Sequence, residues 1–304
     1  MTIVFKVSDN VKEKMIEYYM DKRKPKTPPY AIFQAVEADT VITLYESGKA
    51  MFQGISADVD ANLWKDMEKH LNNIDIDFNE KEKEKTDKTY YYLNAIGSDE
   101  VGTGDYFLPI VVCATYVKKS DISFLEKLKV HDSKKMTDDK IRRCAPIIMN
   151  KIPYEYMIMT NKEYNLSHVN DNMNKIKAIL HNKVLYKMSN KGFNYDKIIV
   201  DQFAYPRSYF GYIKDEKDKV TKITFMTKAE DKNLSVACAS VISRYIFLTE
   251  MDKQNKKYNI VFPKGAGTKV DEVGRELVKK YGSNILNDIS KISFKNTKKI
   301  LERM

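Results

Sequence analysis

The chain has 304 residues (35.4 kDa), 43% hydrophobic and 31% charged side chains and a mean hydropathy of −0.51. This excludes a disordered or membrane-embedded class and suggests two domains at roughly 150 residues each. Three scattered cysteines (Cys113, Cys144, Cys238) exclude a disulfide scaffold or cysteine zinc site, and a net charge of +10 with a pI near 9.1 suggests a polyanionic partner.

In chain order, the first 14 residues hold no apolar stretch of signal-peptide length. The longest nearly apolar run, Pro109 to Val117, reaches about half a bilayer span. A cytoplasmic chain without a membrane partner is the expectation, as is a monomer without an obligate protein partner. Val11, Met15 and Tyr18 at helical spacing predict a helix over Asp9–Tyr19 with Asp9 as its cap. Strand candidates follow at Ala31–Val36, Thr40–Tyr45 and Ala50–Phe52, with Ser47-Gly48 as the turn between the last two. A second helix is expected at Val59–Leu71, completing a small α+β unit with a curved antiparallel sheet over 1–78. Residues 79–88 contain no apolar side chain and read as a solvated linker.

Beyond the linker, 89–304 predicts a larger α/β domain, a mixed sheet with flanking helices. Strands are expected at Tyr90–Ile96, Ile110–Val117, Tyr154–Thr160, Lys197–Val200 and Ile223–Met226. Helices are expected from the Thr137 cap to about Asn150, over Asn172–Ser189 with Gly192 as its stop, and over Leu234–Met251. The basic excess lies entirely here: residues 1–88 hold 14 basic and 17 acidic side chains, a net of −3, against 38 and 25, a net of +13, in the remainder.

Three acidic positions fall at strand ends, where α/β sheets form their active crevices: Asp99-Glu100, Asp201 and Glu230-Asp231. Adjacent strand residues point to opposite faces, so Asp99 and Glu100 converge only if the glycines that follow bend the backbone. Carboxylates sharing a pocket repel unless a cation lies between them. Mg²⁺ or Mn²⁺ suits oxygen donors, and a pair of such ions supports phosphodiester hydrolysis. Turn formation and helix capping are the competing roles for any single acid.

The block Gly97-Ser98-Asp99-Glu100-Val101-Gly102-Thr103-Gly104-Asp105-Tyr106-Phe107 resembles the signature of bacterial ribonuclease HIII, a type 2 ribonuclease H. The resemblance continues through Asp132-Ser133-Lys134-Lys135, Leu180-His181-Asn182, Asp201-Gln202-Phe203, Thr227-Lys228-Ala229-Glu230-Asp231-Lys232 and Pro263-Lys264-Gly265-Ala266-Gly267. Upstream, Thr40 to Gly54 is similar to the family's N-terminal substrate-binding domain. The resemblance implies a TATA-binding-protein-like domain before a ribonuclease H-like fold. It implies an endonuclease that cuts the RNA strand of RNA–DNA hybrids, leaving 3′-hydroxyl and 5′-phosphate ends, with two divalent ions. Its acidic set maps onto Asp99, Glu100, Asp201 and Glu230, with Asp231 as competitor for the fourth place.

For substrate binding, the resemblance points to Gly102, Thr103 and Gly104, whose backbone would approach ribose 2′-hydroxyls. Lys134, Lys135 and Lys264 are candidates for phosphate contacts. His181 and the small residues Ser235, Ala237, Ala239, Ser240 and Ser243 read as structural. In the N-terminal part, Lys22-Arg23-Lys24, Lys26 and Tyr30 form a candidate nucleic-acid patch. The chain departs from the family's D-Y-F-G-P at Leu108, which would cost about 1–2 kcal/mol if that glycine needs positive φ. The alternatives are a ribonuclease HII-like enzyme that incises at single embedded ribonucleotides, and a non-catalytic hybrid-binding protein, which would require a broken acidic set.

Overall fold

The computed structural model describes residues 2–54, 56–76 and 90–302, and the chain falls into two units, Met1–Lys85 and Thr86–Met304. The expected linker at 79–88 lies outside the described residues.

In the first unit a four-stranded antiparallel sheet has the order β1-β4-β3-β2, from β1 (Thr2–Lys6), β2 (Ala31–Glu37), β3 (Thr40–Tyr45) and β4 (Lys49–Gly54). Two helices, α1 (Asp9–Tyr18) and α2 (Ala57–Asn72), supply Val11, Met15, Ala61 and Trp64 to one core with Phe33, Ile42, Leu44 and Phe52. The turn between β3 and β4 holds Gly48 at φ +80°, a conformation that suits glycine. Sequence reading missed β1, which is short and lies at the sheet edge beside β4. It also misplaced the cap of α1. Ser8 stands at that position, and its amide and hydroxyl both donate to the buried Glu68 on α2 (2.5 and 2.9 Å), which sets a carboxylate against the positive end of α1.

The second unit is built on a five-stranded sheet of order β7-β6-β5-β8-β9: β5 (Ala95–Val101), β6 (Ile110–Val117), β7 (Tyr154–Met159), β8 (Lys197–Asp201) and β9 (Thr224–Met226). Strands β5, β8 and β9 are parallel, while β6 and β7 run antiparallel to their neighbours. Between the strands lie α3 (Ile122–Lys127), α4 (Asp138–Lys151), α5 (Asn161–His168), α6 (Met173–Ser189) and α7 (Pro206–Tyr212). After the last strand come α8 (Ala229–Lys232), α9 (Leu234–Tyr258), α10 (Thr268–Tyr281), α11 (Ile285–Ile289) and α12 (Lys295–Leu301). Side-chain caps start several helices. Thr137 accepts from the Lys140 amide at 3.3 Å, as the sequence predicts, and Asn172 accepts from that of Lys175 at 2.9 Å.

Helix α9 packs on β5 and β6 from one side and α6 from the other. Close approach of α9 depends on Gly97: a Cβ there would collide with Ser235 Oγ and with the Val236 amide nitrogen. By length and composition α9 is apolar enough to cross a membrane, yet most of it is buried in this core. Its hydrophobicity on all sides follows from being covered on all sides.

One strand boundary matters for function. The expected strand Tyr90–Ile96 begins at Ala95 and runs on through Asp99 and Glu100 to Val101. Both acids therefore sit inside paired strand, opposite Cys113 and Val112 of β6. The expected bend that would aim them at one point is absent, and they diverge to opposite faces as the strand period requires.

Candidate active site

The carboxyl ends of the parallel strands bring Asp99 and Asp201, distant in the chain, close enough for their charges to interact. Asp99 leaves β5 on the α9 side, where Ser240 donates a hydrogen bond to it and its Oδ1 accepts from the Glu100 amide at 2.8 Å. Asp201 ends β8 and accepts from the amide of Ala229 at 3.0 Å, which ties it to the first residue of α8. Glu230 is the next residue in that helix and is 2% exposed, whereas Asp231 is exposed. One residue along this single-turn helix thus separates the two candidates for the fourth acid, one buried and one exposed. The turn that launches it has Lys228 at φ +52°.

Glu100 leaves β5 on the α6 side, where its two oxygens pair with positive groups, while its charge still acts on Asp99. Lys177 Nζ forms a short ion pair with Oε1, and His181 Nε2 lies 3.0 Å from Oε2. His181 is fully buried, its Nδ1 is 2.8 Å from Ser98 Oγ, and its ring stacks on Phe203. The acids have opposite electrostatic fates. Burial, then the charge of Glu100, then that of Asp201, raise Asp99 to about 7 against the pull of Ser240. Burial would also raise Glu100, but the hydrogen bond and charge of His181, together with Lys177, overcome it and hold the carboxyl near about 2.

A glycine turn borders the acids. Gly102 has φ +90°, and a Cβ there would strike the Pro109 carbonyl oxygen. Gly104 faces open space, with nothing within 4 Å of where a Cβ would stand. The residues that follow are clamped from several directions. Asp105 Oδ1 accepts from the Gly265 amide at 2.5 Å, and the Tyr106 amide donates to the Gly265 carbonyl at 2.9 Å. Asn161 and Gln254 both donate to the Phe107 carbonyl. Lys291, fully buried, donates to the carbonyls of Asp105 and Leu108. Leu108 is buried in the core and is not among the residues with positive φ, so the expected backbone cost does not arise.

The same bonds bring the Pro263–Gly267 segment to the glycine turn, with Lys264 paired to Asp138 at 2.5 Å beside Arg244. The Val130–Lys135 segment packs against α8 and α9, and Lys135 is exposed there; the side chain of Lys134 lies outside the described part. In the N-terminal unit the expected basic patch is partly used internally. Lys22 pairs with Glu37 at 2.5 Å and lies over Tyr18, and Arg23 lies over Phe33 and donates to the Ile16 carbonyl. Tyr30 is 81% exposed and lines a groove of about 560 Å³ with Val4, Tyr45, Lys49 and Met51.

Lys177, Ser240, Asn161 and Lys291 were not read from the sequence as serving the site. For Lys177 a signal existed, since it stands four residues before His181 on one helix face. The others act from elements that only the fold brings near.

Among the described residues no three His, Cys, Asp or Glu side chains converge as a ready-made metal cage. The donor chemistry nonetheless fits a hard divalent ion. Asp99 and Asp201 lie close enough for their charges to interact, and Asp201 is bonded to the residue before Glu230. Asp99, raised first by burial and then by the charges of Glu100 and Asp201, is a carboxyl whose charged form a cation would favour.

Comparison with known proteins matches residues 96–297 to the family described as Ribonuclease HII, and residues 2–75 to a domain family of unknown function. A ribonuclease HIII of Enterococcus faecalis is 38% identical over 97% of both chains, and one of Geobacillus kaustophilus is 38% identical over 94% of this chain and 93% of its own. The solved structure of Bst-RNase HIII in complex with Mn²⁺ covers 100% of this chain and 99% of its own at 35% identity, with a TM-score of 0.70. The ribonuclease H2 of Pyrococcus horikoshii shares the fold over 69% of this chain and 97% of its own, at 24% identity and a TM-score of 0.58.

Proposed function

The chain belongs to the ribonuclease HIII family, and from that premise we propose how it hydrolyses the RNA strand of RNA–DNA hybrids. It is a ribonuclease H-type hydrolase that uses divalent metal. In our reading Asp99, Glu100, Asp201 and Glu230 hold the ions, and the products carry 3′-hydroxyl and 5′-phosphate ends. The observation that carries this is the raised Asp99, pressed by burial and by the charges of Glu100 and Asp201 at the carboxyl ends of β5 and β8. For the fourth acid, the burial of Glu230 and exposure of Asp231 favour Glu230. Bst-RNase HIII binds Mn²⁺, and oxygen donors accept Mn²⁺ or Mg²⁺.

Bound divalent ions supply an activated water and stabilise the leaving oxygen. The chain does the positioning. Ser240 and the Glu100 amide fix Asp99, the Ala229 amide fixes Asp201, and His181, held by Ser98, fixes Glu100. The open side of Gly104 leaves room for a sugar–phosphate backbone, so that main-chain groups of Gly102, Thr103 and Gly104 can meet a 2′-hydroxyl. Lys135 and Lys264 are exposed along the same rim, and with Lys134 they supply positive charge for phosphates. Beside Asp201, a groove of about 370 Å³ lined by Asn174, Gln202, Phe203, Tyr205, Ser208 and Tyr212 offers aromatic and polar contacts. The N-terminal unit, residues 1–78, adds hybrid affinity through the exposed face around Tyr30, Tyr45 and Lys49. Unpaired cysteines fit a reducing cytoplasm, where we place the enzyme as a monomer.

The test is a cleavage assay with and without Mn²⁺ or Mg²⁺ on four substrates: a continuous hybrid, single-stranded RNA, duplex DNA and a duplex with one embedded ribonucleotide. Metal-dependent cutting of the continuous hybrid, well above the other three, is the expected result. Cutting only at the single ribonucleotide would overturn the substrate assignment, and cutting without metal would overturn the mechanism.

A further inference from the structure

The Glu100 carboxylate has both oxygens taken by the chain itself, Oε1 by Lys177 and Oε2 by His181. Lys177 is an unusual partner. It is 8% exposed on α6, and its ammonium lies 4.0 Å from the centroid of the Phe203 ring as well as against Glu100. Lysine ammonium is strongly hydrated, so enclosing it carries a desolvation cost that the ion pair and the ring face must offset. A lysine that grips substrate phosphate would reach into the open cleft; this one turns inward onto a carboxylate. It delivers one positive charge where a divalent ion bound to Glu100 would deliver two, and like charges at such range oppose one another.

We propose that Lys177 is the resident cation of the acidic cluster: it neutralises Glu100 before metal arrives, and by its charge it weakens metal binding and so sets the concentration at which the site fills. This rests on the reading of Asp99, Glu100, Asp201 and Glu230 as metal ligands. The arrangement holds Glu100 in place without metal, because His181, itself bonded to Ser98, contacts the other carboxylate oxygen. Removing the ammonium therefore leaves the ligand oriented and deletes the repulsion. The opposite role, a lysine needed to orient Glu100 for metal, predicts a change of opposite sign.

The experiment is Mn²⁺ titration of the full chain by isothermal calorimetry, with free Mn²⁺ followed by electron paramagnetic resonance. The proteins are wild type, Lys177→Met, Lys177→Gln, Lys177→Arg and Asp99→Asn, each checked for folding by circular dichroism. Lys177→Met and Lys177→Gln should bind Mn²⁺ about tenfold more tightly, equal to about 1.4 kcal/mol, and Lys177→Arg should stay near wild type. Unchanged or weaker binding in the folded neutral variants overturns the resident-cation role. If Asp99→Asn binds Mn²⁺ as wild type does, the ligand assignment beneath it falls instead.

Discussion

Asp99→Asn keeps the shape of the side chain and removes its ionisation, so it measures the electrostatic cost built into the cleft. Burial, Glu100 and Asp201 raise Asp99 from 3.8 to about 7. A displacement of about three units corresponds to about 4 kcal/mol at 1.36 kcal/mol per unit. The carboxyl is partly exposed, and water screens the interaction, which brings the expected scale to about 2 kcal/mol. The sign follows from proton occupancy. Between about pH 4 and pH 7 the folded protein keeps a proton on Asp99 that the unfolded chain has released, so rising pH favours unfolding. At pH 8 the metal-free wild type carries the full penalty, and the Asn variant carries none. Thermal unfolding of both chelator-treated proteins, followed by circular dichroism at pH 5 and pH 8, reads the difference. The variant should melt about 5 °C above wild type at pH 8, with the gap shrinking towards pH 4. Mn²⁺ should then raise the wild type far more than the variant. A variant no more stable than wild type at pH 8, or a gap that ignores pH, would refute the reasoning.

The remaining predictions concern the rim and the fourth acid. Glu230→Ala should reduce hybrid cleavage by about 10²-fold or more, while Asp231→Ala, which removes an exposed side chain, should stay close to wild type in the same steady-state assay. Gly102→Ala meets both positive φ and the Pro109 carbonyl; a loss of about 2–4 kcal/mol in urea unfolding is expected, with cleavage reduced as the glycine turn shifts. Lys291 is lowered by burial from 10.5 to about 7, against the opposing charge of Asp105. From pH 7 towards pH 10 the folded lysine has lost a proton that the unfolded chain retains, so wild-type stability should climb with pH relative to Lys291→Met. Parallel urea titrations at pH 7 and pH 9.5 that give identical gaps would contradict that burial effect.

Much of the fold is legible in residue order because the signals are local. Ile110–Val117 is bounded by a proline and by polar residues, and its strand has those same ends. Thr137 and Asn172 carry hydroxyl and amide oxygens placed for the third amide ahead, and both cap their helices. Where the evidence is non-local the reading slips. Strand β1 gains its pairing only from β4, nearly 50 residues later. The strand β5 runs past its expected end because β6 pairs with it through Val101.

For the candidate site, the sequence by itself determined which chemical groups are available: four acids close to expected strand ends, two glycines after the first pair and a basic excess concentrated beyond residue 88. Their acidity, spacing and charge are properties of residue type and order. Only the tertiary structure decided how those groups are used. Asp99 and Glu100, one peptide apart, face opposite layers, so one meets the serine of α9 and the other the lysine and histidine of α6. Glu230 and Asp231 are likewise adjacent and chemically alike, and the seating of α8 against Asp201 buries one while exposing the other. Adjacent residues share a place in the chain but not a face of the fold, and burial and charge act through space.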